Sequence, residues 1–158
     1  LHWDMNLDHR PISFGVQGVL YLTDTPAEQG AFVCVPGFHK RIEEWLDGLP
    51  GEANPKDQDL LALGTRRIGA WAGDLIIWHK ALPHTAALNR GGGVRVAQYI
   101  TMSPAGADQS EEARQGRISF WRDRLSGLGR YDKEREHHES PTAELTPLGR
   151  QLAGVDPW

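Results

Sequence analysis

Apolar residues in the first part of this chain come in short runs that alternate with polar ones. Glycine and proline punctuate the runs, a pattern that predicts strands joined by turns. Residues 12–23, Ile-Ser-Phe-Gly-Val-Gln-Gly-Val-Leu-Tyr-Leu-Thr, are rich in β-branched and aromatic types and read as one long strand. Gly15 and Gly18 within it mark a bend or a close backbone approach. Asp24 to Gly30 is a turn, 31–35 is the next strand, and the two strands are expected to pair as a hairpin. Past Pro36-Gly37, Ile42, Trp45 and Leu46 recur at helical spacing, with Glu43, Glu44 and Asp47 outside, which predicts a short helix over 38–46. A Gly/Pro loop at 48–55 leads to a second short helix at 57–63 and to strands at 66–68 and 74–78. The last two strands, 82–87 and 94–102, flank Asn89-Arg90-Gly91-Gly92-Gly93 and are expected to form a hairpin.

The pattern then changes period. Residues 109–126 predict a charged amphipathic helix with Ile118, Phe120, Trp121 and Leu125 as its apolar contacts. Residues 130–141 are polar loop, and Thr146-Pro147 opens a final short helix, with threonine as cap and proline at the first position. Short strands followed by helices imply a mainly β fold, a jelly roll with flanking C-terminal helices. The expected division is 1–104 for the β domain and 105–158 for a helical extension packed on it.

Composition narrows the function classes. The 158 residues suffice for one domain with a real core, and a formal charge of −4 without a basic block gives no reason to expect nucleic acid. No apolar run is long enough for a membrane span. The single Cys34 excludes an internal disulfide framework, points to a reducing, cytoplasmic setting, and reads as a buried structural thiol within Ala31–Val35. The chain starts without methionine and with candidate ligands at its very beginning, so it is expected to be the C-terminal part of a longer protein, whose targeting segment is left open. Nothing in the sequence speaks to oligomeric state.

The candidate chemistry begins at Leu1-His2-Trp3-Asp4. On an extended segment, residues two apart point the same way, so His2 and Asp4 reach a common point. A second histidine would complete a 2-His-1-carboxylate set, the donor set of non-haem Fe(II) oxygenases. His84 is the candidate. If the last hairpin turns between Asn89 and Arg90, His84 lies opposite Arg95, whose guanidinium suits a bidentate grip on a carboxylate. Each of these residues also has a plain reading, as a polar side chain near a strand end. His39 and His79 rank below His84, and Trp3, Trp45, Trp71 and Trp78 read as core or site walls.

With these residues in view, the chain resembles the phytanoyl-CoA dioxygenase family of Fe(II)- and 2-oxoglutarate-dependent oxygenases. The matching features are His2-x-Asp4, the run Gly30-Ala-Phe-Val-Cys-Val-Pro-Gly-Phe-His-Lys40, the run Gly73-Asp-Leu-Ile-Ile-Trp-His79, and Leu82-Pro83-His84 with Asn89 and then Arg95. They span about residues 1–102 in order. The resemblance implies a double-stranded β-helix, of which 1–104 would be the C-terminal part. It implies Fe(II) held by His2, Asp4 and His84, and 2-oxoglutarate held by Arg95 through its distal carboxylate. It implies hydroxylation of a small organic substrate with O2, releasing succinate and CO2. Related halogenases carry a small residue where Asp4 stands, so the aspartate favours hydroxylation or another oxidation over halogenation. Two positions depart from the family's usual pattern: Val19, where a tryptophan is common, and Ala97, where a hydroxyl residue is. The other reading is a non-catalytic or differently metallated cupin-like binding domain.

Overall fold

The computed structural model describes residues 1–102, 110–124 and 141–158. The chain divides into two compact units, Leu1–Pro104 and Ala105–Trp158. Among the described residues no helix is long and apolar enough to cross a membrane.

The first unit is β-rich. Its strands are β1 (Val16–Tyr21), β2 (Phe32–Cys34), β3 (Arg66–Ile68), β4 (Leu75–His79), β5 (His84–Ala86) and β6 (Ala97–Met102). They form two antiparallel three-stranded sheets, in the orders β4-β1-β6 and β3-β2-β5. Strand β1 is central, and its alternation sends Gln17, Val19 and Tyr21 into the interior. Gly18 lies where a Cβ would stand 3.2 Å from the Ile76 carbonyl oxygen, so it is the close backbone approach expected of a strand glycine. Strand β2 is buried at all three positions, as befits the middle of its sheet.

The core draws on both sheets: Val19, Tyr21 and Trp78 from one, Phe32 and Cys34 from the other, with Trp3, Phe38, Ile42 and Leu82 beside them. Tyr21 stitches the sheets together. Its hydroxyl accepts from the Phe32 N–H at 2.7 Å and donates to the Ile68 carbonyl at 3.2 Å. Tyr21→Phe would strand both backbone groups, and an unmade buried hydrogen bond costs about 1–3 kcal/mol. We expect a loss of that size in urea unfolding; an unchanged midpoint would mean that the hydroxyl does not hold the sheets together.

Both expected hairpins are corrected. Strands β1 and β2 do not pair with each other: β1 pairs with β4 and β6, and β2 with β3 and β5. The connection at 24–30 carries the chain from one sheet to the other and is fastened by reciprocal backbone bonds between Thr25 and Ala70. Likewise β5 pairs with β2 and β6 with β1, so His84 lies opposite Cys34 and not opposite Arg95. Asn89 is the pivot of that second crossover. Its amide donates to the Gly93 carbonyl, its oxygen accepts from the Gly91 N–H, and its backbone bridges Gln29. A local symmetric-turn argument cannot see a crossover of this kind, because the turn residues are the same.

Other boundaries shift slightly. The first strand begins at Val16 rather than 12, because Arg10 and Ile12 are tied to the helix α1 (Ile42–Asp47). Arg10 bonds Glu43 at 2.6 Å and Asp47 at 2.7 Å, and the Ile12 N–H donates to Glu43 at 2.6 Å. One-turn helices at Phe38–Lys40, Pro55–Asp57 and Leu60–Leu63 replace the longer ones expected on either side. Trp71, expected as core or site wall, is 72 % exposed. Cys34 is buried as expected, and burial pushes its thiol pKa up. The reactive thiolate is therefore scarce in the native state. Iodoacetamide is expected to label Cys34 at least tenfold faster in denaturant than in buffer, as read by mass spectrometry.

In the second unit, α2 (Glu111–Arg122) starts at a Ser110 cap whose hydroxyl accepts from Ala113 N–H. Helix α3 (Pro147–Ala153) starts at the expected Thr146 cap, with proline first. Leu125 and residues 130–140 of the expected polar loop lie outside the described residues.

Candidate metal centre

A backbone bridge builds the site. The His2 N–H donates to the His84 carbonyl and the His84 N–H to the His2 carbonyl, both at 3.0 Å. The opening residues thus lie antiparallel to β5 at its start. Alternation then works as the sequence implies: His2 and Asp4 face one way, and Trp3 faces the other, into the core. Trp3 anchors the motif. Its indole N–H donates to the Ala81 carbonyl at 3.0 Å, and its ring packs against Phe38 and Trp45.

Asp4 sits between the two imidazoles. One carboxylate oxygen is 3.5 Å from His2 Nε2, the other is 3.4 Å from His84 Nε2, and the rings are 4.6 Å apart. The three ligand atoms lie within 4.8 Å of one another. Metal–ligand bonds of about 2.0–2.2 Å place neighbouring donors roughly 3–3.5 Å apart; the two Asp4–imidazole distances match this, and the cluster as a whole, within 4.8 Å, is wider than an ion-bound set. His84 is buried, while His2 and Asp4 are about half exposed, which leaves one side of the cluster open.

The protonation states also suit a metal. Burial pushes the His84 pKa down, against the Leu82 carbonyl bond and Asp4, which pull it up; His2 adds to the fall. The imidazole is therefore neutral near pH 7. Its Nδ1 is 3.0 Å from the Leu82 carbonyl, which can only accept, so Nδ1 carries the proton and Nε2 keeps its lone pair. For Asp4, burial raises the pKa but is outweighed by the Gln17 hydrogen bond and the two histidines, so the carboxylate stays ionised. Phe32 and Trp78 wall the His84 ring at 5.9 and 4.9 Å.

Sequence reasoning missed Gln17. Its amide N–H donates to Asp4 Oδ2 at 2.8 Å. The signal was available: on β1 it is the one polar residue in the inward series Gln17, Val19, Tyr21. Gln17 Oε1 and Trp78 Nε1 are buried without partners, as are Arg95 Nε and His39 Nδ1. Such orphans cost about 1–3 kcal/mol each, and stability alone does not account for keeping them.

Arg95 is not beside His84. Its guanidinium lies over the rings of Tyr21 and Tyr99, at 5.4 and 5.6 Å, and Nη2 donates to the Tyr99 hydroxyl at 3.1 Å. The Tyr21 hydroxyl accepts from the Phe32 N–H, and the Phe32 ring stacks on His84. Among the described residues Arg95 has no carboxylate partner, a state that suits a guanidinium meant for an anionic ligand. Tyr99, two residues after Ala97, is the hydroxyl that reaches Arg95.

The profile of the family described as phytanoyl-CoA dioxygenase (PhyH) matches residues 1–97, which include His2, Asp4, His84 and Arg95. The chain belongs to the phytanoyl-CoA dioxygenase family. A Dictyostelium discoideum relative named "Putative phytanoyl-CoA dioxygenase" is 28% identical over 94 residues, 56% of this chain and 27% of the relative. The chain thus spans about a quarter of that relative's length. The crystal structure of GlcNAc Inducible Gene 2 (DUF1479) from Candida albicans superposes with a TM-score of 0.66 at 16% identity, over 92% of this chain and 41% of that one. At that identity the likeness concerns the fold alone. Members of the phytanoyl-CoA dioxygenase family generally use Fe(II) and 2-oxoglutarate.

Proposed function

We propose that this phytanoyl-CoA dioxygenase family member is a Fe(II)- and 2-oxoglutarate-dependent dioxygenase that hydroxylates a small organic substrate. The observation that carries the reading is the convergence of His2, Asp4 and His84 within 4.8 Å inside the family-matched region. The two antiparallel sheets are read as part of a double-stranded β-helix, and the unit Ala105–Trp158 as a helical extension.

His2, Asp4 and His84 would hold Fe(II), which with bound 2-oxoglutarate supplies the oxidising power that converts O2 and co-substrate to succinate, CO2 and a hydroxylated product. The protein's own residues do the rest. His84, buried and locked at Nδ1 by Leu82, presents Nε2 in one orientation. Asp4 contributes one negative charge, so a dication is half neutralised. Arg95, flanked by Tyr21 and Tyr99, holds the distal carboxylate of 2-oxoglutarate. Phe32 and Trp78 keep water from the buried imidazole.

Incubation with Fe(II), 2-oxoglutarate and O2 is the test. Succinate release, even without primary substrate, is the expected result. A folded protein that binds divalent metal yet releases no succinate over a broad substrate panel would instead favour a differently metallated, cupin-like binding domain.

A further inference from the structure

We propose that Gln17 is a positioning residue for the metal-site carboxylate: its amide N–H holds Asp4 Oδ2, the oxygen 3.4 Å from His84 Nε2, and so fixes the orientation in which Asp4 faces the two imidazoles. The proposal rests on the metal-centre reading given above.

Three observations carry it. First, the Gln17 amide orientation is fixed by chemistry. An ionised carboxylate only accepts, so the atom 2.8 Å from Asp4 Oδ2 must be the NH2 group. Second, Gln17 is itself held rigidly. It is 8 % exposed, on the central strand, in register with Trp78 on β4 and Thr101 on β6. Third, the other end of the amide is wasted for folding. Oε1 is buried without a partner, and the register-paired Trp78 has an orphaned indole N–H. A glutamine kept for stability would have both ends satisfied. This one spends its donor on the candidate ligand and leaves its acceptor unmet.

The consequence concerns orientation. Asp4 is about half exposed, and its side chain would otherwise be free to turn away from the imidazoles. The Gln17 bond keeps one oxygen towards His2 and the other towards His84 before any ion binds. Hydrogen-bond partners of metal ligands are worth about 10–100-fold in metal affinity or activity.

The test uses Gln17→Met, which keeps the length and removes the amide, and Gln17→Asn, which keeps the amide but falls one methylene short. Co(II) is the probe, with affinity from calorimetry, geometry from its visible d–d absorption, and the metal-free Tm read separately. For both variants we expect Co(II) affinity to fall about 10–100-fold and the d–d bands to change shape. The metal-free Tm of Gln17→Met should stay the same or rise, because a buried orphan is removed. Unchanged Co(II) affinity and bands in a folded variant would overturn the proposal while leaving the three-ligand site intact. A lowered metal-free Tm with normal Co(II) spectra would assign Gln17 a structural role and overturn it too. If Co(II) binds the wild-type protein no better than Asp4→Ala, the metal-centre reading itself fails. Should Gln17→Met not fold, Gln17→Asn decides the matter by the same readouts.

Discussion

Asp4→Ala is expected to abolish succinate release from 2-oxoglutarate and to reduce divalent-metal affinity to the background of an unspecific surface site. Asp4 is the only carboxylate in the cluster, and it lies within 3.5 Å of both imidazole Nε2 atoms. Without it two neutral donors remain, one of them on the half-exposed His2, and a dication loses its one compensating charge. The fold should survive. Asp4 is about half exposed, and the anchor of the motif is Trp3, which packs on Phe38 and Trp45 and bonds the Ala81 carbonyl. Calorimetric metal titration and succinate quantification read the two effects, with a thermal melt as control. Unchanged succinate production in the variant would remove Asp4 from the proposed set.

Arg95→Leu is expected to raise the 2-oxoglutarate concentration needed for half-maximal turnover about 30- to 1,000-fold, with Co(II) affinity unchanged. Losing one member of a desolvated, hydrogen-bonded charge pair costs about 2–4 kcal/mol, and each 1.4 kcal/mol is tenfold. The argument rests on where Arg95 sits. Its guanidinium lies over the Tyr21 and Tyr99 rings, its Nε is buried and unpartnered, and it is not one of the three ligand residues. Removing it should therefore separate co-substrate binding from metal binding. The reverse pattern, weaker Co(II) binding at an unchanged 2-oxoglutarate requirement, would contradict the assigned role.

The residues of the candidate site were legible in the chain, but the way they meet was not. His2 and Asp4 follow from alternation alone, and the structure places them on one side with Trp3 on the other. His84 is legible in the run Leu82-Pro83-His84, but its neighbours across the sheet are not. The expected hairpin put it opposite Arg95, whereas its register partner is Cys34 and its backbone pairs with His2. Strand existence is local, written in β-branched content and period; strand partnership here is long-range. Both connections taken for hairpin turns, at 24–30 and around Asn89, move the chain between sheets. Turn residues describe a reversal of direction equally well in either case. Gln17 shows the opposite failure. The polar residue in an inward-facing series was visible, but its partner lay thirteen residues away on another segment. The caps were the most legible features: Thr146 with Pro147 begins α3 where local chemistry says it should.

Anaerobic titration of the Fe(II)-loaded protein with 2-oxoglutarate, followed by visible absorption, addresses the central claim most directly. Chelation of 2-oxoglutarate by an ion that His2, Asp4 and His84 hold predicts a saturable metal-to-ligand charge-transfer band, absent in Asp4→Ala and needing far more co-substrate in Arg95→Leu. A folded protein that binds Fe(II) and shows no such band at saturating 2-oxoglutarate would contradict the account.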